Sequence, residues 1–338
     1  MLFLKSGFSN IIDVKDLVLI YSDGTKAVDN ISFNVGDGEF FGFLGPNGSG
    51  KSTTIKVLTS LLRKTSGSIT VAGYDLTKDS AAIRKIIGVQ SQETTVDGDL
   101  TGRENVTLQG HFHQMRGEEL KKRVNELLNL VGLEEVAEKR ARNYSSGMKK
   151  RLDLATALVH KPKLLFLDEP TTGLDPQSRG AIWNYLEKLN KEEGITIFLT
   201  TQYLEEADKL CQRLSIIDFG KIVASGSPAE LKHQIGADSI RISLENCKKD
   251  SAKAKELLKS LTDVTEIIDS EECLTVYAKN AGLLIADIVR ALDSSDIRLT
   301  SVTFSSPSLD DVFMKHTGRR IRTEDLVKAP STMFGRGR

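Results

Sequence analysis

Apolar and polar positions alternate in short runs from about Ile11 to Gly73, as in "DVKDLVLIY", "ISFNV" and "SITVAG". A period of two predicts strands with one buried face. The turn "GDGE" at Gly36 to Glu39 predicts a hairpin joining the strands on either side of it. The pattern then changes. "FFGFLGPNGSGKSTTIKVLTSLL" reads as a buried strand, a glycine-rich loop and a helix. From roughly Ala81 to His160 apolar residues recur three and four apart, as in "EELKKRVNELLNLVGL", which predicts a mainly helical block. "KLLFLDEP" and "ITIFLTT" are unbroken apolar runs, the mark of parallel strands covered on both faces. The helix-like "PQSRGAIWNYLEKLNKEEG" lies between them and completes a βαβ unit, and "RLSIIDFGKIVASG" predicts a hairpin about Phe219-Gly220.

After about Gly236 the runs "SIRISLEN", "SAKAKELLKSL", "VTEIIDS" with "CLTVYA", "LLIADIVRALDS" and "IRLTSVTFS" follow the order β-α-β-β-α-β, a ferredoxin-like plan. A helix "SLDDVFMKHTG" comes next, with Ser308 as its N-cap and Asp311 near the positive end of its dipole. The expected organisation is an α/β P-loop nucleotide-binding domain over residues 1–235, with an antiparallel β flank and a helical insert at about 93–160. A small α+β C-terminal domain over 236–318 follows, and then a basic tail, 319–338, with no pattern for a fold.

Composition narrows the classes. Hydrophobic content of 39% and charged content of 27% suit a chain that buries a substantial core. The 46 Lys and Arg offset the 46 Asp and Glu, so no global field favours nucleic acid or an anionic membrane. Cys211, Cys247 and Cys273 have no metal-ligand spacing and are expected to be reduced thiols. His111 and His113 diverge if they share a helix, so they are expected on a solvated surface. No apolar run is long enough to span a bilayer, and "MLFLKSGFSN" lacks the apolar core of a signal peptide. Any membrane role is expected to come through a separate subunit.

Gly45, Pro46, Asn47, Gly48, Ser49, Gly50, Lys51 and Ser52, followed by Thr53, match G-x-x-x-x-G-K-[ST] between a strand and a helix. The glycines let backbone amides face a phosphate, Lys51 supplies charge, and Ser52 offers a hydroxyl to Mg²⁺. Asp168 and Glu169 end an apolar strand at the edge where α/β proteins bind ligands. Asp168 suits the Mg²⁺ shell, and Glu169 suits polarising a water for attack on the γ-phosphate. A second anion site, Ser145-Ser146-Gly147, opens the cationic helix "MKKRLDLATAL".

The order of these motifs, the P-loop, "YSSGMKKRLDLA", "LLFLDEP" and "TTGLDP", resembles the nucleotide-binding subunit of ATP-binding cassette (ABC) transporters over about Ile11 to Lys232. "TTQYLEEAD" and "SSPSLDDVFMKHTG" resemble the daunorubicin-resistance type of exporter ATPase. The resemblance implies a RecA-like cassette, two ATP molecules sandwiched head to tail between two copies, and a signature loop that closes over the partner's γ-phosphate. Here that loop departs from L-S-G-G-Q: Ser146 replaces a glycine, which would strain the turn if φ must be positive, and Met148 replaces a glutamine. The resemblance further implies that Tyr21 stacks on adenine, that Gln92 completes the Mg²⁺ shell with Gln90 as the alternative register, and that Asp175 crosses the dimer interface. Read without it, Tyr21 would be strand packing and Asp175 a turn residue. Gln202 stands where most cassettes carry histidine; it can donate a hydrogen bond but cannot become cationic.

The implied function is an ATPase subunit that drives a separate permease at the cytoplasmic face of the cell membrane and exports a hydrophobic or amphipathic compound, with no nucleic-acid partner. Two other classes compete. A ribosome- or DNA-remodelling ABC protein would bring a second cassette or a long coiled coil, and neither is seen. An ATP-gated binding module with little catalysis would be favoured by Gln202 and Ser146.

Overall fold

The computed structural model describes residues 10–235, 238–269, 274–278, 281–305 and 307–318. The chain divides into two compact units, the second beginning at Pro228.

In the first unit, strands β1 (Asn10–Ile20), β2 (Lys26–Gly36), β4 (Ser66–Val71) and β5 (Tyr74–Asp75) form an antiparallel sheet in the order β2-β1-β4-β5. Strands β3 (Phe40–Leu44), β6 (Ile87–Gln90), β7 (Leu164–Asp168), β8 (Thr196–Thr201), β9 (Arg213–Asp218) and β10 (Lys221–Gly226) form a second sheet in the order β10-β9-β3-β8-β7-β6. All of its pairings are parallel except β9 with β10. The expected β9–β10 hairpin turns at Phe219 and Gly220, both at positive φ, 45° and 75°.

The hairpin expected at Gly36–Glu39 does not form. β2 pairs with β1, while β3 pairs with β8 and β9 in the other sheet. The residues give the reason. "FFGFL" is buried at every position and needs neighbours on both sides, whereas β2 alternates between buried and open positions. Phe33 of β2 joins the two sheets, with its ring centroid 5.8 Å from Phe41, 5.4 Å from Phe43 and 6.0 Å from Phe198. Such aromatic clusters add about 1 kcal/mol per pair beyond burial.

The helices of this unit are α1 (Lys51–Leu58), α2 (Ser80–Arg84), α3 (Gly102–Phe112), α4 (Gly117–Leu130), α5 (Ser146–Ala157), α6 (Pro176–Glu193) and α7 (Leu204–Leu210). β6 is a strand the helical pattern concealed, because Ile87 to Gln90 is too short to reveal a period. Helix α3 starts in a capping box between Thr101 and Glu104. His111 is exposed as expected, but His113 is half-buried and stacks on His160, centroids 3.7 Å apart. The spacing argument compared the histidines with each other and not with the loop after α5.

The second unit opens with α8 (Pro228–Ile235), which the sequence pattern assigns to the first domain; its partner is α11 (Leu309–Thr317). Between them run β11 (Asp238–Leu244), α9 (Cys247–Lys259), β12 (Val264–Asp269), β13 (Leu274–Ala278), α10 (Ala281–Asp293) and β14 (Leu299–Ser305). The antiparallel sheet has the order β12-β13-β11-β14, the ferredoxin-like arrangement. Ser308 caps α11 in a capping box with Asp311. Cys211 is a buried free thiol; Cys273, the Cys247 side chain and residues 319–338 lie outside the described residues. Among those described, no helix is long and apolar enough to cross a membrane.

Candidate functional site

Parallel pairing gathers the ends of three strands. Leu44 lies opposite Thr201 and Asp168 opposite Thr200, so the loop leaving β3 runs beside the acidic end of β7. In that loop Gly48 and Gly50 take φ of 79° and 106°, a region that side chains resist. A Cβ on Gly50 would come within 2.5 Å of the Ala27 carbonyl oxygen, and one on Gly45 would collide with that of Ile217. Ser49 N–H donates to the Pro46 carbonyl at 3.2 Å and tightens the curl. Gly50 caps α1 without a side chain, so the first amides of the helix stay available to an anion.

A cavity of about 650 Å³ lies over this loop, and Asn47, Gly48, Gly50, Lys51, Ser52 and Thr53 form its floor. Lys51 Nζ donates to the carbonyls of Gly45 at 2.8 Å and Pro46 at 3.0 Å, and lies 3.1 Å from Glu169 Oε1. Ser52 Oγ donates to Asp168 Oδ1 at 3.0 Å, and Thr200 Oγ1 donates to the same oxygen at 2.6 Å. Glu169 has φ of 48°, a strained backbone for a non-glycine. Its amide donates to Thr200, and its Oε2 accepts from Thr172 Oγ1 at 3.2 Å. Glu169 lines the cavity as well.

Tyr21 and Gln92 complete the wall. Tyr21 is 38% exposed, its hydroxyl 3.1 Å from Thr53 Oγ1. Gln92 is exposed, whereas Gln90 is buried with its Nε2 donating to the Lys150 carbonyl, so Gln92 is the glutamine that lines the cavity. Gln202 is buried, one residue beyond β8, and is not among the lining residues. Thr25, Lys26, Ala27, Phe219 and Gly220 also line the cavity, and nothing in the sequence assigns them to it. Their only sequence signal is the hairpin turn at Phe219-Gly220, and a turn does not reveal what it faces.

Ser145, Ser146, Gly147 and Asp175 line no part of this cavity. Ser145 caps α5, its Oγ accepting from Met148 N–H at 3.2 Å. Ser146 is exposed and begins α5 with no positive φ, so the expected strain is absent. Gly147 is buried against α6: a Cβ there would lie 3.1 Å from Ser178 Oγ. Asp175 caps α6, with Oδ1 accepting from Ser178 N–H at 2.9 Å and Oδ2 from Ser178 Oγ at 2.6 Å. These bonds from Ser178 hold its carboxyl below the usual range. The Gly45–Thr53 loop and the Ser145–Gly147 loop of one chain therefore do not share a cavity.

The floor suits a polyphosphate. It offers a buried cation and curled amides. The hydroxyl of Ser52, the carboxylate of Asp168 and the amide of Gln92 are oxygen donors of the kind a hard divalent cation takes.

Known proteins agree with this geometry. The ABC transporter family profile matches residues 28–172, and that of the ATP-binding protein DrrA1-3-like C-terminal domain matches residues 226–317. The chain is 40% identical over 299 residues to the daunorubicin resistance ATP-binding protein DrrA3 of Streptomyces coeruleorubidus, covering 88% of this chain and 93% of the relative. It is 38% identical over 296 residues to the linearmycin resistance ATP-binding protein LnrL of Bacillus subtilis (strain 168), covering 87% and 94%. Among solved structures, it is similar to an ATP-binding cassette dimer in a post-hydrolysis state bound to ADP and phosphate, with a TM-score of 0.60 and 29% identity, over 64% of this chain and 98% of that one.

Proposed function

The chain belongs to the ABC family as an ATP-binding subunit of the drug-resistance and export type, and from that premise we propose that two copies close around two ATP molecules to drive export through a separate membrane subunit. It is an ABC-type ATPase. The observation that supports the split arrangement is the separation of the two loops. The cavity holds Lys51, Ser52 and Glu169, while exposed Ser145 and Ser146 stand outside it.

Each residue has a role in this reading. The amides of residues 48–53 cradle the phosphates, and Lys51 spans the β- and γ-phosphates. Tyr21 stacks on the adenine ring. Glu169 accepts a proton from the attacking water, and Gln202 donates a hydrogen bond toward the γ-phosphate or that water. Ser145 Oγ and the Gly147 amide, supplied by the partner copy, close the far side, and Asp175 crosses between the copies. Ser52, Asp168 and Gln92 would hold Mg²⁺, which would supply neutralising charge to the phosphates. Hydrolysis divides the phosphates that bridge the copies and lets them part.

The cargo class, a drug or another hydrophobic or amphipathic compound, rests on the relatives' resistance names. The implied location is the cytoplasmic face of the cell membrane, held there by the permease, and no nucleic-acid partner is implied. Purified protein with ATP and Mg²⁺ tests the reading. Glu169→Gln should stop turnover while an ATP-dependent dimer accumulates on size exclusion. Unchanged turnover by that variant, or turnover by a strict monomer, would overturn it.

A further inference from the structure

Gln92 lies on a loop that leaves β6 two residues earlier, and its side chain is exposed. The loop is held by α5, the helix that begins at Ser145 and Ser146. Lys150 Nζ donates to the Gln92 carbonyl at 2.5 Å, and the Lys150 carbonyl accepts from Gln90 Nε2 at 3.1 Å. Asp153 Oδ1 accepts from Thr95 N–H at 3.1 Å and from Thr95 Oγ1 at 2.7 Å. Residues three apart on a helix share a face, so one face of α5 grips the loop before, at and after Gln92.

The grip is poorly hydrated. Asp153 is buried, and burial pushes its carboxyl above the usual range against the pull of Thr95. Burial pulls the Lys150 ammonium down, opposed by attraction to Asp153, Asp168 and Glu169. Breaking the Asp153 contact would leave a desolvated carboxyl without its partner, which makes that end of the joint stiff.

We propose that Lys150 and Asp153 are positioning residues that lock the 90–95 loop to the signature helix, so that Gln92 in one ATP site follows the engagement of Ser145 with the other. The inference rests on the roles given above to Gln92 and Ser145. It adds a path inside one chain, Ser145 to α5 to Lys150 and Asp153 to Gln92, by which each copy reports partner contact to its own cavity.

Hydrogen exchange on the full nucleotide-free protein tests the lock without turnover. Lys150→Met and Thr95→Val should speed exchange of the amides at 91–96 about tenfold, the effect of losing one strong hydrogen bond in a local opening. Thr95→Val leaves α5 untouched, so faster exchange there does not reflect a damaged helix. In turnover, both variants should lower kcat about tenfold with the ATP KM within about twofold, and the ATP dependence should lose its steepness. Lys150→Arg should restore all three. Unchanged exchange at 91–96 in both variants overturns the proposal, as does slowed turnover with undiminished steepness. Failure of the split-site reading would show separately, as wild type and Glu169→Gln hydrolysing ATP alike.

Discussion

Lys51 Nζ lies 3.1 Å from Glu169 Oε1, and each side chain is only 4% exposed. The proposed base and the proposed phosphate-binding cation thus hold each other. Glu169→Gln removes both the pair and the base. We expect turnover to fall about 10²- to 10⁴-fold, the usual worth of a general base, with ATP binding retained. Nucleotide-free Tm should drop as well, because Lys51 loses its one charged partner and keeps only neutral oxygens. Steady-state kinetics and a thermal melt check the two halves.

Gly50 is constrained twice, by φ of 106° and by the Ala27 carbonyl 2.5 Å from where a Cβ would sit. Gly50→Ala should cost on the order of 1–3 kcal/mol and weaken ATP binding at least tenfold, since the loop must uncurl to admit the methyl. Gly48 has open space at its Cβ position despite φ of 79°, so Gly48→Ala should be the milder change. Denaturant melts and nucleotide titration would rank them; equal losses would contradict the contact argument.

Ser178 stands between the two loops proposed to meet the partner copy, bonded to Asp175 and in contact range of Gly147. Gly147→Ala would press a methyl against Ser178 Oγ and push α5 from α6. We expect nucleotide binding by isolated subunits to persist while ATP-driven dimerisation weakens about tenfold, because the proposed arrangement gives the loops to the partner's site. Light scattering with the slow Glu169→Gln background reads this, and a matching loss of monomer binding would argue against it.

These residues also show which features a sequence reveals. The P-loop, the βαβ unit and the Ser308 cap were legible because their signals are local: glycines at fixed offsets, apolar runs, a serine three before an acid. The Gly36–Glu39 hairpin failed because a turn fixes direction and not partner, and the full burial of "FFGFL" sent β3 to the parallel sheet. The α8 boundary failed similarly, since its partner α11 lies far along the chain. Nothing in the sequence singles out Lys150, Asp153 or Thr95, and only tertiary proximity makes them a clasp.

The His113–His160 stack predicts an acid sensitivity of definite sign. His160 Nε2 is 2.9 Å from the Ile87 carbonyl, and its buried Nδ1 has no partner. Burial, then the neighbouring His113, pulls its pKa from 6.5 to about 4, with Arg123 of α4 acting the same way against the Ile87 bond. Arg123 is itself anchored to the carbonyls of Leu158 and Val159. Burial lowers His113 too. Between pH 6.5 and about 4 the unfolded chain therefore carries a proton at residue 160 that the folded chain refuses, so unfolding takes up protons. Stability from this site is full above pH 6.5, declines as pH falls toward 4 and then levels off. The loss should be on the order of 1–2 kcal/mol once partial solvent screening is allowed for. His160→Gln can keep a donor for Ile87 without titrating, and should flatten the stability profile across that window relative to wild type. Urea melts at pH 7.5, 6, 5 and 4.5 supply the comparison: carboxylates contribute equally to both proteins, so parallel slopes would refute the assignment.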